Sequence, residues 1–153
     1  MNRTNAREIA VQLGFYASSA GKPVSEIFDE FFEDEYYATL AQDCELYKEL
    51  PGENELAYIK RLTSLMEDHR IQIDAYIEKY SHGWTVARIS KTALAVMRCA
   101  ICEILYMEDI PDAAAINEAV ELAKGYDDAD TVAFINGVLG GFMRGEKAET
   151  ADE

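Results

Sequence analysis

The sequence predicts an all-α protein, a compact helical domain of about six to seven helices. Apolar residues recur at the three-and-four spacing of a helical face along most of the chain. No segment alternates in the Val/Ile/Thr-rich manner of a strand, and no internal repeat is present. Breaks bearing proline or glycine separate the apolar stripes.

In the first helix Ala6, Ile9, Ala10, Leu13 and Ala17 share one face. The break Ser18–Pro23 follows, and Pro23 suits the first turn of a second helix with the stripe Val24, Ile27, Phe28, Phe31 and Phe32. The acidic, aromatic stretch 33–55 carries no clear period and is punctuated by Pro51-Gly52. It either caps the N-terminal helices or makes a contact peculiar to this chain. A long helix is expected from about Asn54, with Leu56, Ile59, Leu62, Thr63 and Met66 on one face and Ile73 and Ile77 continuing the stripe. After the turn Ser81-His82-Gly83, Trp84 is expected to dock the next helix onto the core. Ile89, Ala93, Leu94, Met97, Ile101, Ile104 and Leu105 form the cleanest stripe, and small or apolar residues on its other faces predict a central helix. Pro111 ends that segment. Asp112 is then a candidate N-cap, with Ile116, Ala119, Val120 and Ala123 as the next apolar face and Gly125 as a left-handed stop. Asp130 is expected to cap the last helix, whose stripe is Phe134, Ile135, Val138, Leu139 and Phe142. Gly137 inside that helix points to close backbone packing. Residues 1–145 are read as one domain, and the polar, acidic residues 146–153 as a disordered tail.

A chain of 153 residues can bury a sizeable core. No run approaches the roughly 18 consecutive apolar residues of a membrane span, and no apolar h-region follows the N-terminal arginines, so a cytoplasmic protein is expected. The formal net charge of −15 opposes nucleic acid at long range. It is unevenly spread: residues 1–25 net +2, 26–55 net −10, 56–98 net +3 and 99–153 net −10. Any surface facing nucleic acid must therefore be local and drawn from the two mildly basic stretches.

The residues offer no catalytic constellation: there is no Gly-rich phosphate loop, H-E-x-x-H or G-x-S-x-G. Neither a cofactor nor a metal is expected. Cys99 and Cys102 form a C-x-x-C, but they lie within an apolar helical pattern, where cysteine behaves as a small hydrophobe, and are read as core. Glu118 and Glu121 share a helix face without the Glu-x-x-His partners of a carboxylate metal site, and are read as solvated. Arg98 and Glu103 are read as ties between helices, because a buried charge must find a partner. Arg3 and Arg7, one turn apart, can point the same way, and a guanidinium grips phosphate bidentately or stacks on a base. Gln12 offers a donor and an acceptor to a base edge.

The run Val96–Leu105, the pair Ile110-Pro111, the run Ala115–Lys124 and the run Phe134–Leu139 together resemble the NusB family of bacterial antitermination factors, whose pattern reads approximately LRxAxxEL, DIP, AINEAVELAK, FVNGVL. The resemblance covers roughly residues 84–142, and Ala6–Gln12 resembles the family's opening helix. It implies two packed helical bundles and a non-catalytic protein that binds single-stranded boxA-type RNA together with NusE, a small-subunit ribosomal protein. It implies action with other Nus factors and RNA polymerase in a larger complex, notably in ribosomal RNA operons, and leaves room for a homodimer that hides the RNA face. The RNA-contacting positions it implies are Arg3, Arg7 and Gln12 on the first helix and Asp130 and Phe134 at the start of the last; Phe134 also lies on an apolar stripe and is equally a core candidate. Two arginines stand where the family often has a cluster, so weak RNA binding by the isolated chain and reliance on NusE are expected. Two alternatives remain: the N-terminal domain of an RNA methyltransferase, whose cofactor site these residues lack, and an acidic protein–protein interaction module that has lost RNA binding.

Overall fold

The computed structural model describes residues 1–147. The described residues form eight α-helices and no strand, and the chain divides into two compact units, Met1–Asp68 and His69–Glu153. Two helices raise the count above six to seven. The expected long helix is broken at His69 (φ −109°, ψ 17°), whose ring stacks on Tyr106 at 3.9 Å. A short helix also forms in the acidic stretch, where periodicity is too brief to read.

In the first unit α1 (Arg3–Ala20) packs on α2 (Val24–Phe31) and α4 (Glu53–Asp68). Asn2 caps α1 by accepting the N–H of Asn5 at 2.8 Å, and Gly21 ends it at φ 66°, a left-handed conformation that glycine adopts without a Cβ penalty. The expected stripe is the buried one: Ala6, Ile9, Ala10 and Leu13 are buried, as are Ile59 and Leu62 on α4, the helix α1 packs against. Pro23 stands just before α2 rather than inside it, and the carboxylate of Glu67 accepts the N–H of Val24 at 2.6 Å. The stretch 33–55 sorts its residues by polarity. Glu33 caps α3 (Asp34–Leu40) through the N–H groups of Glu35 and Tyr36. Phe31, Tyr37 and Tyr47 meet as edge-to-face rings 5.5–5.9 Å apart and are all buried, while Glu33, Asp34, Glu35 and Glu45 face water.

In the second unit α6 (Lys91–Tyr106) is central. It packs against α5 (Arg70–Tyr80), α7 (Asp112–Tyr126) and α8 (Ala129–Phe142), and residues 93–97 and 99–104 are all buried. Ser90 caps it through the N–H of Ala93. Cys99 and Cys102 are core residues, 2% and 0% exposed. Arg98 ties α6 to α5 through a two-pronged contact with Asp74 at 2.7 and 2.9 Å. Glu103 is fully buried, with the Cys99 thiol 3.5 Å from its carboxylate.

Four local expectations are corrected. Pro111, not Asp112, holds the cap position of α7, and Asp112 is its first residue, where a carboxylate still favours the positive helix end. Helix α7 runs through Gly125 to Tyr126, and Asp127 follows it, donating its N–H to the Ala123 carbonyl. Asp128, not Asp130, caps α8 through the N–H of Thr131 at 2.8 Å. A Cβ at Gly137 would meet nothing within 4 Å, so no backbone packs closely there. The chain also stays helical past 145, as a π-helical turn Met143–Lys147 in which Glu146 takes Lys79 at 2.7 Å and the Tyr80 hydroxyl. The rest of the expected tail, 148–153, lies outside the described residues.

Tyr37 donates its hydroxyl to the Glu49 carbonyl at 3.0 Å, and burial, reinforced by the Glu49 carboxylate, pushes its pKa up to about 12. The neutral phenol is therefore favoured by folding. Its stabilisation is complete below the ordinary tyrosine value of 10.0 and lost as pH rises from there through about 12. Urea unfolding of the wild type and Tyr37→Phe at pH 8 and pH 11 should show the advantage of tyrosine over phenylalanine shrinking at the higher pH.

Candidate nucleic-acid interface

The basic start of the chain is reduced, on folding, to one exposed guanidinium. Of its three cations, Lys22 lies between Glu26 (3.8 Å) and Glu30 (3.7 Å). Arg3 and Arg7 do point the same way, as their spacing predicts: both approach the ring of Tyr58 on α4, Arg3 at 4.0 Å and Arg7 at 5.8 Å from its centre. Their surroundings differ. Arg3, in the first turn of α1, is exposed. Arg7, a turn further into the packed stretch of the helix, is 4% exposed. Arg7 is enclosed where α1 meets α4, whereas Arg3 is open to solvent. Gln12 is half-buried on the same helix.

The remaining two candidates belong to the second unit. Asp130 is exposed in the first turn of α8, its carboxylate left out of the cap that Asp128 supplies. The N–H of Thr131 holds the Asp128 carboxyl below its usual range. Phe134 is half-buried rather than core, and its ring meets the indole of Trp84 edge-on at 6.2 Å and 66°. Trp84 does not dock a helix into the core as expected, because it is 51% exposed.

The structure thus brings together two pairs, Arg3 with Arg7 over Tyr58 and Phe134 with Trp84. Tyr58 and Trp84 are the residues that sequence reasoning missed. Tyr58 lies beside the apolar stripe of α4 and carried no signal beyond being aromatic. Trp84 follows Gly83 in a turn and lies in an acid-free stretch, and neither feature told whether its ring would be exposed. Elsewhere Glu121 pairs with Lys124 at 2.7 Å on the exposed side of α7, as a solvated face requires. No helix among the described residues is long and apolar enough to cross a membrane.

The NusB family model matches residues 4–144. The chain is 38% identical over 152 residues to Transcription antitermination protein NusB of Thermoanaerobacter sp. (strain X514), covering 99% of this chain and 97% of the relative. It is 36% identical over 154 residues to the protein of the same name from Symbiobacterium thermophilum, covering 100% and 97%. Among solved structures, NusB of T. maritima superposes with a TM-score of 0.79 at 22% identity, over 99% of this chain and 98% of that one. A structure of antitermination factors NusB and NusE in complex with dsRNA superposes with a TM-score of 0.76 at 22% identity, over 93% and 96%.

The contrast between the two arginines is testable by stability alone. Arg7→Ala should cost about 2–4 kcal/mol, since it empties a packed position and strips the partners of a buried cation. Arg3→Ala should cost no more than about 1 kcal/mol, the scale of an exposed cation–π contact. Urea midpoints of the two variants beside the wild type measure both.

Proposed function

The chain belongs to the NusB family, and from that premise we propose that it is a transcription antitermination factor. In this reading it binds boxA-type single-stranded RNA together with NusE and supports transcription of ribosomal RNA operons. The observation that carries it is the match, across nearly the whole chain, to proteins named as transcription antitermination factors. The solved complex of NusB with NusE and dsRNA supports a protein and an RNA as the two partners. The protein acts without catalysis, by holding RNA and NusE for other Nus factors and RNA polymerase, in the cytoplasm where transcription runs.

The geometry refines how the RNA is held. On α1, Arg3 is the guanidinium open to a phosphate, and the Tyr58 ring beneath it pre-positions the charge. Arg7 serves by packing the helix that carries Arg3. With two or three phosphates neutralised, the slope of log affinity on log salt for single-stranded RNA should lie between about −1.4 and −2.1. So few contacts, in a chain of formal net charge −15, make NusE a necessary contributor to affinity.

Anisotropy of labelled boxA-type RNA, with and without the cognate NusE, tests this directly at low and physiological salt. Binding should be weak for the chain alone, rise sharply with NusE, and vanish with scrambled RNA. Arg3→Ala should weaken the ternary complex roughly five- to tenfold, the scale of one solvent-exposed hydrogen bond. A nanomolar complex without NusE would contradict the dependence on NusE, and no binding in any combination would sink the antitermination reading.

A further inference from the structure

We propose that Trp84, oriented by Phe134, is a stacking site for one unstacked base of single-stranded RNA, with Arg88 and Lys91 taking the adjoining phosphates. The inference rests on the RNA-binding reading above and adds a subsite lying wholly within the second unit.

The loop that carries Trp84 is closely specified. Ser81, buried, donates its hydroxyl to the carbonyls of Glu78 (3.2 Å) and Trp84 (2.8 Å), and the N–H of Val86 donates to the Glu78 carboxylate at 2.9 Å. Between these anchors His82 takes φ 51°, a left-handed conformation unfavourable for a residue with a Cβ, and Gly83 follows at φ 96°. Backbone held in such a conformation by its surroundings is characteristic of sites where a side chain must be presented. What this loop presents is an indole with 51% of its surface in water, although burial is the usual fate of so large an apolar ring. Phe134, edge-on at 6.2 Å, holds the indole from one side.

Charge selects the occupant. Residues 79–102 contain no Asp or Glu, in a chain whose formal net charge is −15. Of the acids bonded to this window, Glu78 holds the Val86 N–H, Asp74 pairs with Arg98, Asp127 accepts the Thr92 hydroxyl at 2.9 Å, Glu146 pairs with Lys79 and Glu103 is buried beside Cys99, while Asp130, one turn before Phe134, stands exposed on the α8 side. Arg88 and Lys91, four and seven residues after Trp84, are both exposed, and Arg88 lies at most about 15 Å along the chain from it. A flat aromatic face beside cations is what single-stranded nucleic acid requires: the base stacks on the ring and the phosphates meet the charges. An acidic peptide would satisfy the cations but leave the indole face unmatched.

The chain has one tryptophan, so its emission reports on this position alone. The full-length protein with NusE is titrated with boxA-type RNA, with Trp84→Phe run in parallel to subtract any emission from NusE. RNA should quench Trp84, and Trp84→Ala should weaken RNA binding roughly 5- to 30-fold by anisotropy. Trp84→Phe should keep most of the affinity, and circular dichroism should show both variants folded. RNA binding with emission and Trp84→Ala affinity unchanged overturns the stacking site while leaving antitermination standing. An emission change caused by NusE alone, with none from RNA, overturns it equally by assigning the indole to a protein contact. No RNA binding by the wild type overturns both readings together. If Trp84→Ala fails to fold, acrylamide quenching of the wild type decides instead: RNA must shield the indole.

Discussion

A helix buried on almost every side must place its polar residues as carefully as its apolar ones, and α6 carries that constraint for the second unit. Residues 93–97 and 99–104 are enclosed by α5, α7 and α8, so Ala, Val, Cys and Ile fill positions where larger side chains would force those helices apart. The two charged residues within this run are accommodated differently. Arg98 reaches Asp74 on α5 with two hydrogen bonds, whereas Glu103 is fully enclosed beside Cys99. The run Val96–Leu105, through which the chain resembles its family, is thus first a packing solution. It also holds the elements around it, the Trp84 loop before α6 and α8, which carries Phe134.

The first unit shows how folding redistributes a simple charge pattern. Arg3 and Arg7 are chemically identical and one turn apart, yet only Arg3 is exposed. The difference comes from where α4 crosses α1: Tyr58 receives both guanidinium groups, and the deeper one is enclosed. The acidic stretch undergoes a similar sorting. Its Tyr37 and Tyr47 join Phe31 of α2 in a buried edge-to-face set, and its Glu33 and Glu45 remain in water, where they cap α3 or pair with Lys48. The stretch thus caps its own unit with aromatic rings and contributes much of the negative charge that confines RNA to local surfaces.

Most of the helices were legible in the sequence because helical burial is periodic and local. The stripes of α1, α4, α6 and, Phe134 apart, α8 turn inward as their spacing requires. The helix ends were less legible. Asp112 and Asp130 are sensible caps by composition, yet Pro111 and Asp128 hold those positions, because a cap is set by where the chain enters the helix and a shift of one or two residues changes its owner. His69 carries no breaking signal of its own, and the interruption there coincides with a stack on Tyr106, 37 positions away.

The sequence by itself determined the helical class, the core faces, the buried cysteines, the family and the locality of any RNA-facing charge. These follow from periodicity, composition and ordered motifs, which are properties of neighbours along the chain. Only the tertiary structure decided that Arg3 is open while Arg7 is enclosed, that Phe134 leans on Trp84 instead of filling the core, and that Trp84 stands half in water. Each of those outcomes depends on which distant helix or loop covers a side chain, and exposure of that kind is written in the packing of segments far apart in sequence.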